Sequence, residues 1–132
     1  MILEDANASR IILIRLGQGD DIYESLLAVA KKKKIRSGLI ISGVGSVSKY
    51  HYHVVKTINI PILNEYTRGE KALDVLCIQG MIMDEQVHAH ITLSDIDNVI
   101  GGHMEKGCKV LTFCVITVVD LSDCKISNWD AS

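Results

Sequence analysis

The sequence predicts one domain of the α/β class, of α+β type, in which a sheet of six or seven strands carries one main helix. Three observations point there. Apolar residues make up 48% of the 132 but aromatics only 5%, so the core is built from Ile, Val and Leu, which favour strands. One stretch alone, following Asp21, combines a helix-start signal with a helical apolar stripe. Residues 108–121 form the longest apolar run, with Val110, Cys114, Ile116 and Val118 on one face and Leu111, Phe113, Val115 and Val119 on the other. Such a strand is covered on both sides. The length suits one core and leaves no room for a second.

In chain order, residues 10–16 are a β-rich run and the expected first strand, broken at Gly17-Gln18-Gly19-Asp20. Asp21 with Glu24 three positions later fits a capping box and opens a helix over about 22–34. Ile22, Leu26, Val29 and Ala30 mark its buried stripe. Lys31, Lys32, Lys33 and Lys34 end it, followed by Arg36. Four lysines there fan around one helical turn, where positive charge complements the helix dipole. A phosphate-contacting patch is the functional alternative, and the solvated helix end is preferred, because a DNA footprint needs a broader basic face.

Residues 39–55 are strand-rich and interrupted at Gly43-Val44-Gly45-Ser46, which reads as a bulge or bend. Tyr50-His51-Tyr52-His53 is a histidine pair in strand register, read as an ordinary half-exposed strand rather than as metal ligands. Residues 56–71, around the only proline, Pro61, are expected to be irregular. Two strands follow over 73–93, joined near Gln79-Gly80 or Met83-Asp84-Glu85. Asp95-Ile96-Asp97-Asn98 is a turn, with Asn98 able to take a left-handed conformation. One helix covers little of such a sheet, so a partner subunit is expected on the second apolar face of 108–121. Residues 122–132 are a polar tail around Trp129, with docking and fraying both open.

The organising element is Val87 to Gly107, 21 residues that hold three of the five histidines and three of the ten glycines. Val87, Ala89 and Ile91 alternate with His88, His90 and Thr92, the period of a strand. His88 and His90 therefore share a face, roughly 6.5–7 Å apart at the backbone. His103 follows Gly101-Gly102, where missing Cβ atoms permit close approach or positive φ. Three neutral imidazoles with one open position form the ligand pattern of a catalytic-type zinc site, though other divalent transition metals suit it too.

Composition excludes some classes. Fourteen basic and sixteen acidic residues give a formal net charge of −2, so there is no bulk attraction to nucleic acid or anionic membrane. No run approaches the about eighteen apolar residues of a membrane span. Met1 to Asp5 lack the pattern of a signal peptide, so a soluble, cytoplasmic protein is expected. Cys77, Cys108, Cys114 and Cys124 form no C-x-x-C pair and are expected to be reduced.

Several segments carry a resemblance in order: Arg15 to Asp21, Ile41 to Val47, Leu76 to Gly80, His88-x-His90 and Gly101 to Gly107. Over about residues 8–121 the chain resembles the plants-and-prokaryotes conserved (PPC) domain in its stand-alone prokaryotic form. The resemblance implies a mainly antiparallel sheet and a homotrimer. It also implies the DNA-binding label that prokaryotic members inherit from plant proteins, where the domain follows AT-hook motifs. Two departures stand out: the turn before Gly101 lacks the family's glycine and is one residue shorter, and there is no Arg-Gly-Arg-Pro hook. More remotely, the chain is similar to acetolactate decarboxylase, whose zinc ligands correspond to His88, His90 and His103.

Three functions follow as alternatives. The first is a DNA-associated or regulatory binding module built as a homotrimer, with Lys31 to Lys34 and Arg36 as weak backbone contacts. The second is a zinc-dependent enzyme acting on a small molecule, with Glu105 as the nearest candidate acid or base. The third is a trimeric scaffold with a purely structural histidine cluster. The binding module with a three-histidine metal site is placed first.

Overall fold

The computed structural model describes residues 1–131. Asp21 starts the one helix among them, α1 (Ile22–Lys32), by accepting the Glu24 backbone N–H at 3.0 Å, which satisfies an orphan donor of the first turn. The Glu24 carboxylate turns instead to Lys106 Nζ at 2.7 Å, so an ion pair replaces the reciprocal half of the capping box. Ile22, Leu26 and Ala30 are buried and Val29 is half-buried.

The helix ends two residues earlier than the sequence predicts. Lys33 is its C-cap, and Lys34 takes a left-handed φ of 56°. The N–H groups of Lys34 and Ile35 close on the carbonyls of Lys31 and Ala30, the Schellman arrangement, with fully buried Ile35 as its apolar anchor. Lys33 and Lys34 thus leave the helix, and the four lysines do not fan around one turn.

Six strands form the sheet: β1 (Asn7–Gly17), β2 (Ser37–Val55), β3 (Asn64–Met83), β4 (Gln86–Ser94), β5 (Val99–Met104) and β6 (Lys109–Ser122). Their order is β1-β6-β2-β3-β4-β5, and every pairing is antiparallel. The fold is therefore α+β. β2 meets β6 along its first two thirds, and its Tyr52 and His53 then pair with Met104 and His103 of β5. That closure turns β2, β3, β4 and β5 into a ring. The interruption expected at 43–46 is a pair of register shifts against β6, at Ile40/Ser42 and Gly45/Val47.

One boundary moves, and of the two junctions expected within 73–93 the second is used. Residues 64–71, expected to be irregular, belong to β3 and pair with residues 49–55 of β2, so the excursion is only 56–63. Nearly all of 64–72 is exposed, and a strand wet on both faces shows no alternation. The β3–β4 junction falls at Asp84-Glu85, which both hold positive φ (49° and 63°) in a two-residue hairpin turn. Gln79-Gly80 lies within β3.

Between β4 and β5, Asp95 Oδ1 accepts the N–H groups of Asp97 and Asn98, each at 2.8 Å. Asn98 does not use the left-handed region; the aspartate side chain closes the turn in its place.

The core lies on one face of the sheet, where α1 packs against β4 and β6. On β6, Val110, Cys114, Ile116 and Val118 are buried. The opposite, outer face stays open in the single chain: Ile11 is 65% exposed, Leu13 74% and Phe113 43%. In the tail, Ile126 is buried, and Ser37 Oγ donates to the Cys124 carbonyl at 2.8 Å, so this segment docks. No helix among the described residues is long and apolar enough to cross a membrane.

Candidate metal centre

The alternation of β4 buries Val87, Ala89 and Ile91 and leaves His88 and His90 on the outer face. His90 stands opposite His103 of β5, His103 opposite His53 of β2, and His53 opposite Tyr66 of β3. One row of side chains thus crosses four strands. β5 fits into this row because of its glycines. A Cβ on Gly101 would lie 2.1 Å from the Ile91 carbonyl oxygen, and one on Gly102 2.5 Å from that of His53. Of the two roles foreseen for the pair, close approach is the one used; neither glycine has positive φ.

The ring centroids of His88 and His90 are 5.6 Å apart, those of His88 and His103 4.4 Å, and those of His90 and His103 5.7 Å. One donor atom from each of the three lies within 4.8 Å of the others. The fold therefore brings together the histidines singled out in the sequence, and the shortened turn does not carry His103 away.

A fourth histidine, read in the sequence as an ordinary strand residue, joins them. His53 stacks on His103 with centroids 4.3 Å apart. Its Nδ1 donates to Glu105 Oε1 at 2.6 Å. His53, His103 and Glu105 form a second set with donor atoms within 4.8 Å. The histidine spacing at 51–53 was the available signal, but only the long-range pairing of β2 with β5 puts His53 here. Glu105 is half-buried rather than an exposed loop carboxylate, and its N–H donates to the His51 carbonyl at 3.0 Å. His51 itself turns away, its Nδ1 bonding the Lys106 carbonyl at 2.8 Å.

Crowding shapes the electrostatics. Burial, then the positive charge available to His88 and His53, pushes His103 down to about 4, with Glu105 opposing. His90 is lowered by burial first, then by His88 and His53. Both imidazoles are held neutral near pH 7, the form that binds a metal. The donor chemistry and the spacing fit a divalent ion.

Beside the cluster runs an open groove of about 630 Å³, walled by Leu39, Ile41, Met81 and Met83, with Gln79 and the tail's Trp129 on its border. Asp130 reaches His88 Nδ1 at 3.2 Å. The basic residues named in the sequence lie elsewhere. Lys31 to Lys34 and Arg36 are exposed, and Arg36 pairs with Asp84 at 3.0 Å.

An antiparallel α+β domain with a histidine row on its open face is the class these features define. The chain belongs to the Plants and Prokaryotes Conserved (PCC) domain family, whose model matches residues 3–122. It is 27% identical over 120 residues to the bifunctional protein GlmU of a Synechococcus strain. That match covers 90% of this chain but spans only 18% of the length of the Synechococcus protein.

Among solved structures, a plant- and prokaryote-conserved (PPC) protein from Pyrococcus horikoshii superposes with a TM-score of 0.82 at 20% identity, covering 96% of this chain and 89% of that one. A metal-containing protein from Archaeoglobus fulgidus gives 0.79 at 21%, covering 92% and 86%. A protein from Bacteroides thetaiotaomicron, described as a candidate DNA-binding protein, gives 0.73 at 20%, with the same coverage.

Proposed function

We propose that this chain is a divalent-metal-binding domain, assembled as a homotrimer, that takes a small molecule beside an ion held by His88, His90 and His103. One observation carries the reading: three imidazole donors from two adjacent strands lie within 4.8 Å of one another on an open face. Zinc is the preferred metal, since three neutral nitrogens and a free position match its catalytic-type centres. Such an ion lowers the pKa of a bound water toward neutrality and supplies a nucleophile or base. The chain's own contribution is the groove: Leu39, Ile41 and Met81 give one wall an apolar lining, and Gln79 offers a polar group. The metal-containing relative supports the reading.

Metal analysis of protein purified without a histidine tag is the test, with about one equivalent per chain expected. Outer-shell changes alone cost metal sites about 10–100-fold, so His90→Ala should weaken zinc by more than about 100-fold. Equal zinc affinity in the two proteins would rule the three-histidine reading out.

DNA is a second reading, favoured by the exposure of Lys31 to Lys34 and by the Bacteroides relative's description. At net charge −2 the binding would be weak and backbone-driven, falling steeply with salt. Titrating a labelled duplex at two salt concentrations checks this. Tight, salt-insensitive binding would put the regulator first.

A further inference from the structure

We propose that His53, His103 and Glu105 form a second metal position, overlapping the first through His103 and suited to a divalent ion of the manganese or iron(II) kind. Two imidazoles and one carboxylate with open positions are the facial set that such ions prefer, and a carboxylate oxygen is a better partner for manganese than a third imidazole. The set also brings one negative charge to the ion, which the three-histidine set does not.

The geometry is built rather than incidental. The pairing of His53 with His103 holds β2 against β5, so these two ligands are placed by backbone hydrogen bonds. Tyr66, on the strand that flanks β2 opposite β5, has its centroid 5.0 Å from that of His53. Glu105 is held by its N–H on the His51 carbonyl. Its carboxylate already lies 2.6 Å from a His53 nitrogen, joined through one proton. An ion taken up there takes the place of that hydrogen, which a neutral His53 keeps on its other ring nitrogen, Nε2.

Because both positions use His103, one ion excludes the other. Total metal stays at one equivalent per chain, and zinc competes with manganese. The groove lies against His88 and His90, so an ion at the second position is set back from it, beside Tyr66.

The test uses Mn²⁺ alone, followed by loss of the free-ion EPR signal, on the full chain and on variants whose folding is checked by circular dichroism. His90→Ala removes the first set and leaves the second whole, so it should still bind about one equivalent of Mn²⁺. Adding Glu105→Gln, which keeps size and removes charge, should weaken that binding by at least tenfold, and adding His53→Ala should do the same. Glu105→Gln alone should leave zinc on the three histidines. Failure of His90→Ala to bind Mn²⁺ saturably, or Mn²⁺ binding by His90→Ala that is indifferent to Glu105→Gln, would overturn the proposal. The outcome is separable from that of the three-histidine reading: manganese bound by His90→Ala reports the second set alone, whereas zinc retained by Glu105→Gln and lost when His90→Ala is added reports the three histidines.

Discussion

Asp95 illustrates how one side chain sets the approach of β5 to β4. One carboxylate oxygen takes two backbone N–H groups of the turn, and the other meets Lys71. The Lys71 ammonium first, then the Asn98 and Asp97 N–H groups, hold the Asp95 carboxyl down at about 2 against an ordinary 3.8. A carboxyl with a lowered folded pKa contributes stability that is full above its unfolded value and is lost as pH falls through the folded one. The stability gap between the wild type and Asp95→Asn should therefore be constant above pH 3.8 and close on acidification toward pH 2. Urea unfolding at a series of pH values measures it, and a gap unchanged down to pH 2 would show that the aspartate's charge is idle. The same turn shows why Asn98 needs no left-handed backbone: the sequence shows a residue that tolerates it, but not that a neighbour's carboxylate makes it unnecessary.

At the scale of elements, β5 depends on missing side chains more than on those it has. Gly101→Ala would put a methyl carbon 2.1 Å from a β4 carbonyl, and that neighbour is rigid backbone, so the strands must part. Overpacking of this kind costs about 1–3 kcal/mol. Urea unfolding should read that loss, and metal affinity should fall with it because His103 shifts; unchanged stability would mean that β5 does not lie this close against β4. Much of this element was legible: the alternation at Val87–Ile91 gave the face of His88 and His90, and Gly101-Gly102 flagged the close approach. The capping aspartate and the doubly apolar run at 108–121 were equally readable, because each is a local pattern with one physical cause. The closure of β5 on β2 was not. Tyr52 and Met104 are 52 positions apart and meet only through the ring, so His53 looked like one more strand residue. The exposed half of β3 was lost for another reason, since a strand with water on both sides leaves no apolar period to detect.

For the whole molecule, the outer face poses a question of cover. Ile11 and Leu13 on β1 pair with Val119 and Thr117 on β6, and Val115 pairs in turn with Val44 on β2. These positions lie on the face away from α1, and Ile11, Leu13 and Val44 are each about half exposed or more. A contiguous apolar surface of this sort on one subunit marks a contact with another protein. A closed ring of identical subunits covers such a face without growing into a fibre. The proposed trimer would cover this surface, and sedimentation equilibrium should then return three times 14.5 kDa. Leu13→Asp supplies the sharper measurement. Leu13 is 74% exposed in the single chain, so an aspartate there should cost the isolated fold little, whereas burying its charge without a partner at a subunit contact carries a heavy desolvation cost. The variant should sediment as a folded monomer of about 14.5 kDa with an unchanged circular dichroism spectrum. A Leu13→Asp protein that still sediments at three times that mass would place the contact elsewhere, and a wild type that stays monomeric at micromolar concentration would leave the apolar face without the partner proposed for it.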